Sequence, residues 1–251
     1  MSTPAPSFDG RVALVTGASG GIGSALARRL AGSGADLSLT YTSHAEDAES
    51  LAEQVRATGR RVTVQHADLA HPDAPHAVVR RTEERVGPVD LLVTAAGVGV
   101  RRTWEEVDLD GWEQTVAVNL RAPFFLAQQV LPGMIERGYG RILFFSSVAA
   151  FTGGVVGPHY AASKAGLHGL THFLASRVAD SGVTVNAIAP ALIAGTRMLP
   201  VGPHDPERLP LPIPVERLGT TEEVADLALA MLRNGYLTSK VIGLDGGLYP
   251  Y

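Results

Sequence analysis

Short apolar, β-branched runs alternate with longer amphipathic stretches along the whole chain. Runs at 11–16, 36–41, 61–66, 89–94, 141–146, 183–188 and 240–244 have the length and composition of strands. The segments 21–32, 45–58, 72–86, 108–137, 158–180 and 220–233 carry helical periodicity. Several strands are apolar at successive positions, as in Val12-Ala13-Leu14-Val15, Leu91-Leu92-Val93 and Ile142-Leu143-Phe144-Phe145. Apolarity on both faces means burial on both faces, as in a parallel sheet between two helix layers. Strict β-α alternation then gives right-handed crossovers and predicts one α/β domain over 1–251, a doubly wound seven-stranded parallel sheet flanked by helices. Residues 1–9, small and polar with prolines, are expected to be flexible.

One segment breaks the rhythm. From 196 to 219 the chain carries Pro200, Pro203, Pro206, Pro210, Pro212 and Pro214. Each removes an amide donor and keeps the preceding residue out of the α region, so a long helix is excluded there. The segment follows the sixth strand, on the edge where such sheets bind ligands, and is expected to be a substrate lid.

Composition narrows the chemistry. A net charge of -4 and scattered arginine pairs (28–29, 60–61, 80–81, 101–102), read as solvated faces, give no basic stripe for nucleic acid. There is no cysteine, which removes disulfides, thiolate catalysis and zinc-thiolate sites. The N-terminus does not read as a signal peptide, and no apolar run approaches the roughly 20 residues a membrane helix needs. The expectation is a cytoplasmic protein with no metal and no membrane or nucleic-acid partner.

The first strand runs into Thr16-Gly17-Ala18-Ser19-Gly20-Gly21-Ile22-Gly23-Ser24, and a helix follows. Glycines let the backbone bend sharply and approach a pyrophosphate, while the helix N-terminus offers free amides and a positive dipole end. The spacing, Gly17-x-x-x-Gly21-x-Gly23, resembles the TGxxxGxG fingerprint of the short-chain dehydrogenase/reductase family, and so implies its single-domain Rossmann fold. The resemblance covers almost the whole chain. Asp68-Leu69 resembles the family's adenine-contacting pair. Ala95-Ala96-Gly97 is similar to its N-A-G turn, with Thr94 and Ala95 where asparagines are common. Pro190, Ile193 and Thr196 resemble the segment that closes over the nicotinamide and phosphates. The match looks nearest to the 3-oxoacyl-[acyl-carrier-protein] reductase branch.

A carboxylate at the end of the second strand would bind the 2'-hydroxyl of NAD and repel the 2'-phosphate of NADP. That position falls at Tyr41, beside Thr42 and Ser43; Asp36 comes too early. NADP(H) is therefore the expected cofactor, although Gly20 occupies the place where many NADP-using relatives carry a basic residue.

Near the middle lie Ser147 and Tyr160-Ala161-Ala162-Ser163-Lys164. Residues four apart share a helix face, so the phenol and the ammonium converge. A carbonyl that receives hydride needs a proton donor at its oxygen, and a nearby cation is expected to lower the phenol's pKa from about 10. These three match the family's Ser-Tyr-Lys set, and Asn119 matches its fourth member. The resemblance implies that Tyr160 is the general acid and that Lys164 holds the nicotinamide ribose. It implies likewise that Ser147 binds the substrate carbonyl and Asn119 supports a water-linked proton path. His159 and His168 are expected to pack rather than react.

The leading expectation is reduction of a small-molecule ketone or acyl thioester, 3-oxoacyl or polyketide-like, free or bound to acyl carrier protein. Arg137 and Arg177 are docking candidates for that carrier, though Ser181 stands where such relatives carry arginine. The alternatives are dehydrogenation of a small secondary alcohol such as a sugar or steroid, and a non-catalytic NADP sensor. The resemblance also implies a homotetramer, through apolar faces at 123–127 and 167–174.

Overall fold

A computed structural model describes residues 8–199 and 212–249. The seven apolar runs form β1 (Val12–Thr16), β2 (Asp36–Tyr41), β3 (Val62–His66), β4 (Leu91–Thr94), β5 (Gly140–Phe145), β6 (Val183–Pro190) and β7 (Val241–Leu244). All pair in parallel, in the order β3-β2-β1-β4-β5-β6-β7. This is the single-domain, doubly wound α/β sheet that the alternation predicts. The order reverses between β1 and β4, which opens a crevice at their carboxyl ends.

The helices are α1 (Gly21–Gly32), α2 (Ala45–Ala57), α3 (Ala74–Arg85), α4 (Leu109–Val116), α5 (Ala122–Glu136), the short α6 (Ala149–Thr152), α7 (Pro158–Val178) and α8 (Thr221–Arg233). Period-two alternation divides the strands between two cores. Ala13 and Val15 of β1, with Leu143 and Phe145 of β5, pack toward α1, α2 and α8. Leu14, Ile142 and Phe144 pack on the opposite face, against α3, α5 and α7. Two buried faces per strand account for the continuous apolar runs.

Three expectations need correction. The segment 108–137 is not one helix: a π-helical stretch, Ala117–Arg121, separates α4 from α5. Pro123 has no N–H to offer the Asn119 carbonyl four residues back, so the α ladder cannot run through this point. Within the supposedly flexible 1–9, Phe8 is buried in the core and its N–H donates to the Ser33 carbonyl at 2.8 Å; residues 1–7 lie outside the described residues. Finally, β5 ends at Phe145, so Ser146 and Ser147 lie just beyond the strand.

The proline-rich segment begins and ends at one place. Ile193 forms a parallel bridge with Gly219; the Ala194 N–H donates to the Gly219 carbonyl (2.9 Å), and the Gly219 N–H to the Leu192 carbonyl (3.0 Å). Residues 200–211 of the expected lid lie outside the described residues. Just past the return, Thr220 and Glu223 form a capping box at the start of α8, and Arg217 grips Glu223 through both terminal nitrogens at 2.6 and 3.0 Å.

Candidate active site

The turn after β1 is shaped by what it lacks. Gly17 has φ +68°, and a Cβ there would lie 2.7 Å from the Ala96 backbone; a Cβ on Gly23 would lie 2.4 Å from the Gly17 carbonyl oxygen. Thr16 Oγ1 accepts from the Ala96 N–H at 3.2 Å, so the first turn and the Ala95-Ala96-Gly97 turn are tied across the crevice. The Ala18 N–H donates to Thr40 O at 2.9 Å. Gly20 caps α1 without a side-chain hydrogen bond, and no acid stands in the first turn. Ser19, Gly20, Gly21 and Ile22 thus present backbone at an uncapped helix N-terminus. These residues fit a pyrophosphate: the helix end carries unspent positive character, and the glycines of the turn leave its backbone bare.

At the end of β2, Tyr41 stacks edge-on with His66, and no acid occupies its position. The Thr42 hydroxyl donates to the Ala67 carbonyl (2.9 Å), which makes it a loop brace. Ser43 is exposed and bonded to His44 Nδ1 (2.8 Å). The Asp68 carboxylate accepts from the Ala70 N–H (2.9 Å), shaping the loop after β3, and Leu69 is buried beside it. Arg197, which sequence reasoning did not single out, reaches this corner from the far end of the chain. Its Nη2 donates to the Ser19 carbonyl at 2.9 Å, and its Nη1 lies 3.4 Å from Ser43 Oγ.

The other end of the crevice holds the titratable groups. Tyr160 and Lys164 project from one face of α7, 7% and 5% exposed. The Tyr160 hydroxyl shares a hydrogen bond with Ser147. Lys164 Nζ donates to the Phe145 carbonyl at 2.7 Å and lies 5.7 Å from the centre of the Tyr160 ring. Gly97 sits between them and the π segment: a Cβ there would lie 3.4 Å from both Lys164 Nζ and Asn119 Oδ1. Asn119 is fully buried. Its Oδ1 accepts from the Val98 N–H (2.9 Å), and its Nδ2 donates to the Val98 carbonyl (2.8 Å) and to Ser163 Oγ (3.2 Å). Its side chain therefore fixes the loop after β4. The usable signal for this break in the helix was Pro123.

The electrostatics differ from the expectation. Burial is the largest influence on Tyr160 and raises its pKa; the Ser147 hydrogen bond only partly opposes this. Burial also lowers Lys164, from 10.5 to about 8. Burial therefore outweighs the Ser147 hydrogen bond, and the phenol holds its proton more tightly than in water.

Supporting contacts complete the site. Ser146 Oγ donates to the Lys164 carbonyl (3.0 Å) and stands 2.8 Å from His168 Nε2. Burial and the neighbouring His172 lower the His168 pKa. His159 is buried. The Pro190 carbonyl accepts from the Val148 N–H (3.1 Å), fixing the loop that carries Ser147. Ile193 is buried, and the Thr196 hydroxyl is engaged in its own turn, with the Ile193 carbonyl (3.0 Å) and the Leu199 N–H (3.2 Å). Met198, also unanticipated, lies beside Gly99, whose other close neighbour is the Tyr160 ring. Among the described residues no cluster of three or more His, Asp or Glu could hold a metal ion, and no helix is long and apolar enough to cross a membrane.

Comparison with known proteins agrees with this geometry. Residues 11–205 match the family model described as short chain dehydrogenase. The chain is 37% identical over 245 residues to an acetoacetyl-CoA reductase of Allochromatium vinosum, covering 96% of this chain and 99% of that one. It is 34% identical to a 3-oxoacyl-[acyl-carrier-protein] reductase of Aquifex aeolicus, covering 96% and 98%. Among solved structures, a blue fluorescent protein from a metagenomic library, in complex with NADPH, superposes with a TM-score of 0.89 at 36% identity over 98% of this chain and all of that one.

Proposed function

The chain belongs to the short-chain dehydrogenase family, near its 3-oxoacyl-[acyl-carrier-protein] reductase branch, and from that premise we propose that it is an NADPH-dependent reductase of a 3-oxoacyl thioester or similar ketone. The observation that carries this reading is the Tyr160 phenol, hydrogen-bonded to Ser147 with the Lys164 ammonium behind it, on the crevice edge that holds the glycine turn. NADPH, when bound, supplies the hydride. Gly17, Ser19, Gly20, Gly21, Ile22 and Gly23 would hold its pyrophosphate, and Tyr41, Thr42, Ser43, Asp68 and Leu69 its adenosine. Ala95, Ala96, Gly97, Asn119, Pro190, Ile193 and Thr196 would line the path toward its nicotinamide.

Ser147 donates to the ketone oxygen and orients it, and Tyr160 gives that oxygen its proton as negative charge builds. Lys164 holds the ribose hydroxyls and supplies positive field at the phenol. Asn119, with its carbonyl left without an α-helical donor by Pro123, supports the proton path from solvent to Lys164.

A small thioester or free ketone is favoured over a carrier-bound one. Arg137 is spent on the Asp90 carboxylate and the Val89 carbonyl, and Arg177 lies over the Phe173 ring. Met198, in the described start of the segment 196–219, adjoins Gly99 and supports the reading of that segment as a substrate lid. The exposure of Phe125 and Phe173, 38% and 58%, supports assembly into a homotetramer through the apolar faces at 123–127 and 167–174. The deciding experiment is a panel of ketones and thioesters assayed by loss of NADPH absorbance. Turnover of 3-oxoacyl thioesters supports the reading, and the absence of turnover with every ketone defeats it.

A further inference from the structure

We propose that Arg197 is the cation that recognises the 2'-phosphate of NADPH, and so the residue that sets the cofactor preference. The proposal rests on the reading of this chain as an NADPH-dependent reductase. In dinucleotide-binding sheets the ribose 2'-substituent lies at the end of the second strand, where a carboxylate selects NAD and a positive group selects NADP. Here that place is bounded by three segments distant in sequence. Ser19 comes from the turn after β1, Ser43 from the loop after β2 and Arg197 from the segment after β6. Ser19 Oγ donates to the Ser43 carbonyl at 3.2 Å, joining the first two. Arg197 closes the third side through the Ser19 carbonyl and Ser43 Oγ. The glycine turn has no basic side chain of its own, so this guanidinium supplies the charge the turn lacks.

The geometry suits an exchangeable anion. The Arg197 side chain is 44% exposed, and its charged partner at this corner is Asp47, at 3.4 Å and 62% exposed. An exposed pair of this kind contributes little to stability and yields readily to a stronger ligand. A phosphate is such a ligand: a guanidinium meets two of its oxygens with parallel N–H donors. Asp47 therefore holds the guanidinium in place while the site is free, and the phosphate replaces it. Ser43 Oγ, within reach of the same guanidinium, is the second contact.

The test is calorimetric titration of the full chain with adenosine 2',5'-bisphosphate and with 5'-AMP, which need no turnover. Wild type is expected to prefer the bisphosphate. Arg197→Ala is expected to weaken the bisphosphate by about tenfold or more, the scale of a lost charge-assisted hydrogen bond, and to leave 5'-AMP nearly unchanged. Arg197→Lys, which keeps the charge without the fork, should recover part of the loss. Equal weakening of both ligands by Arg197→Ala, or of neither, with the wild-type preference intact, overturns the role of Arg197 and spares the cofactor reading. A wild type that binds the two ligands equally overturns the cofactor reading and the proposal with it.

Discussion

Lys164 Nζ donates a 2.7 Å hydrogen bond to the carbonyl of Phe145, the last residue of β5. That contact pins the ammonium at the carboxyl edge of the sheet and holds it in a dry environment, where its pKa falls to about 8. Position and acidity both follow from where one strand stops.

Two opposite pH dependences follow. The ammonium is the form that holds the ribose and supports the phenol, so kcat/KM for NADPH should fall through a limb near pH 8, which reports the free enzyme. Lys164→Arg should remove that limb even where its activity is lower. Stability should move the other way. Between about 8 and 10.5 the folded chain has released a proton that the unfolded chain retains, so stability rises with pH across this window. Urea midpoints should show wild type gaining on Lys164→Met as pH rises from 8; parallel curves would contradict the depressed pKa.

Tyr160→Phe removes the proton donor and little volume. Loss of general-acid catalysis is worth about 10²–10⁴ in kcat. Tryptophan or NADPH fluorescence titration should show cofactor affinity nearly intact. Retention of most turnover would assign the proton to another group.

Gly23→Ala places a Cβ 2.4 Å from the Gly17 carbonyl oxygen, a backbone atom that cannot swing aside. The turn must open, at a cost of about 1–3 kcal/mol, the usual scale of overpacking. A lower urea midpoint together with weaker NADPH binding is the expected pair of results. An unchanged affinity would argue that the turn does not cradle the pyrophosphate.

Thr220→Ala deletes the cap of α8, where Thr220 Oγ1 accepts from the Glu223 N–H at 3.2 Å. The expected loss is about 1 kcal/mol, or about 2–4 °C in Tm for a domain of this size. Scanning calorimetry reads it directly, and an unaltered Tm would show that Arg217 and Glu223 hold this helix start without the threonine.

Much of the molecule was legible from the chain alone. Continuous apolar strands required two covering helix layers, and the seven-stranded parallel sheet follows. The four-residue spacing of Tyr160 and Lys164 required a shared helix face, and the glycines after β1 required a close backbone approach. These are local patterns, set by the periods of 2 and 3.6 residues and by the absence of a side chain. Even the break at 117–121 left a local mark in Pro123.

What the fold alone decided depends on long-range contact and burial. Arg197 meets Ser19 across 178 positions, and no spacing rule reaches that far. The direction of the Tyr160 shift was likewise beyond the sequence. The helix period places a cation near the phenol, but only the packed interior determines how much water each group has lost, and here that loss outweighs the Ser147 hydrogen bond.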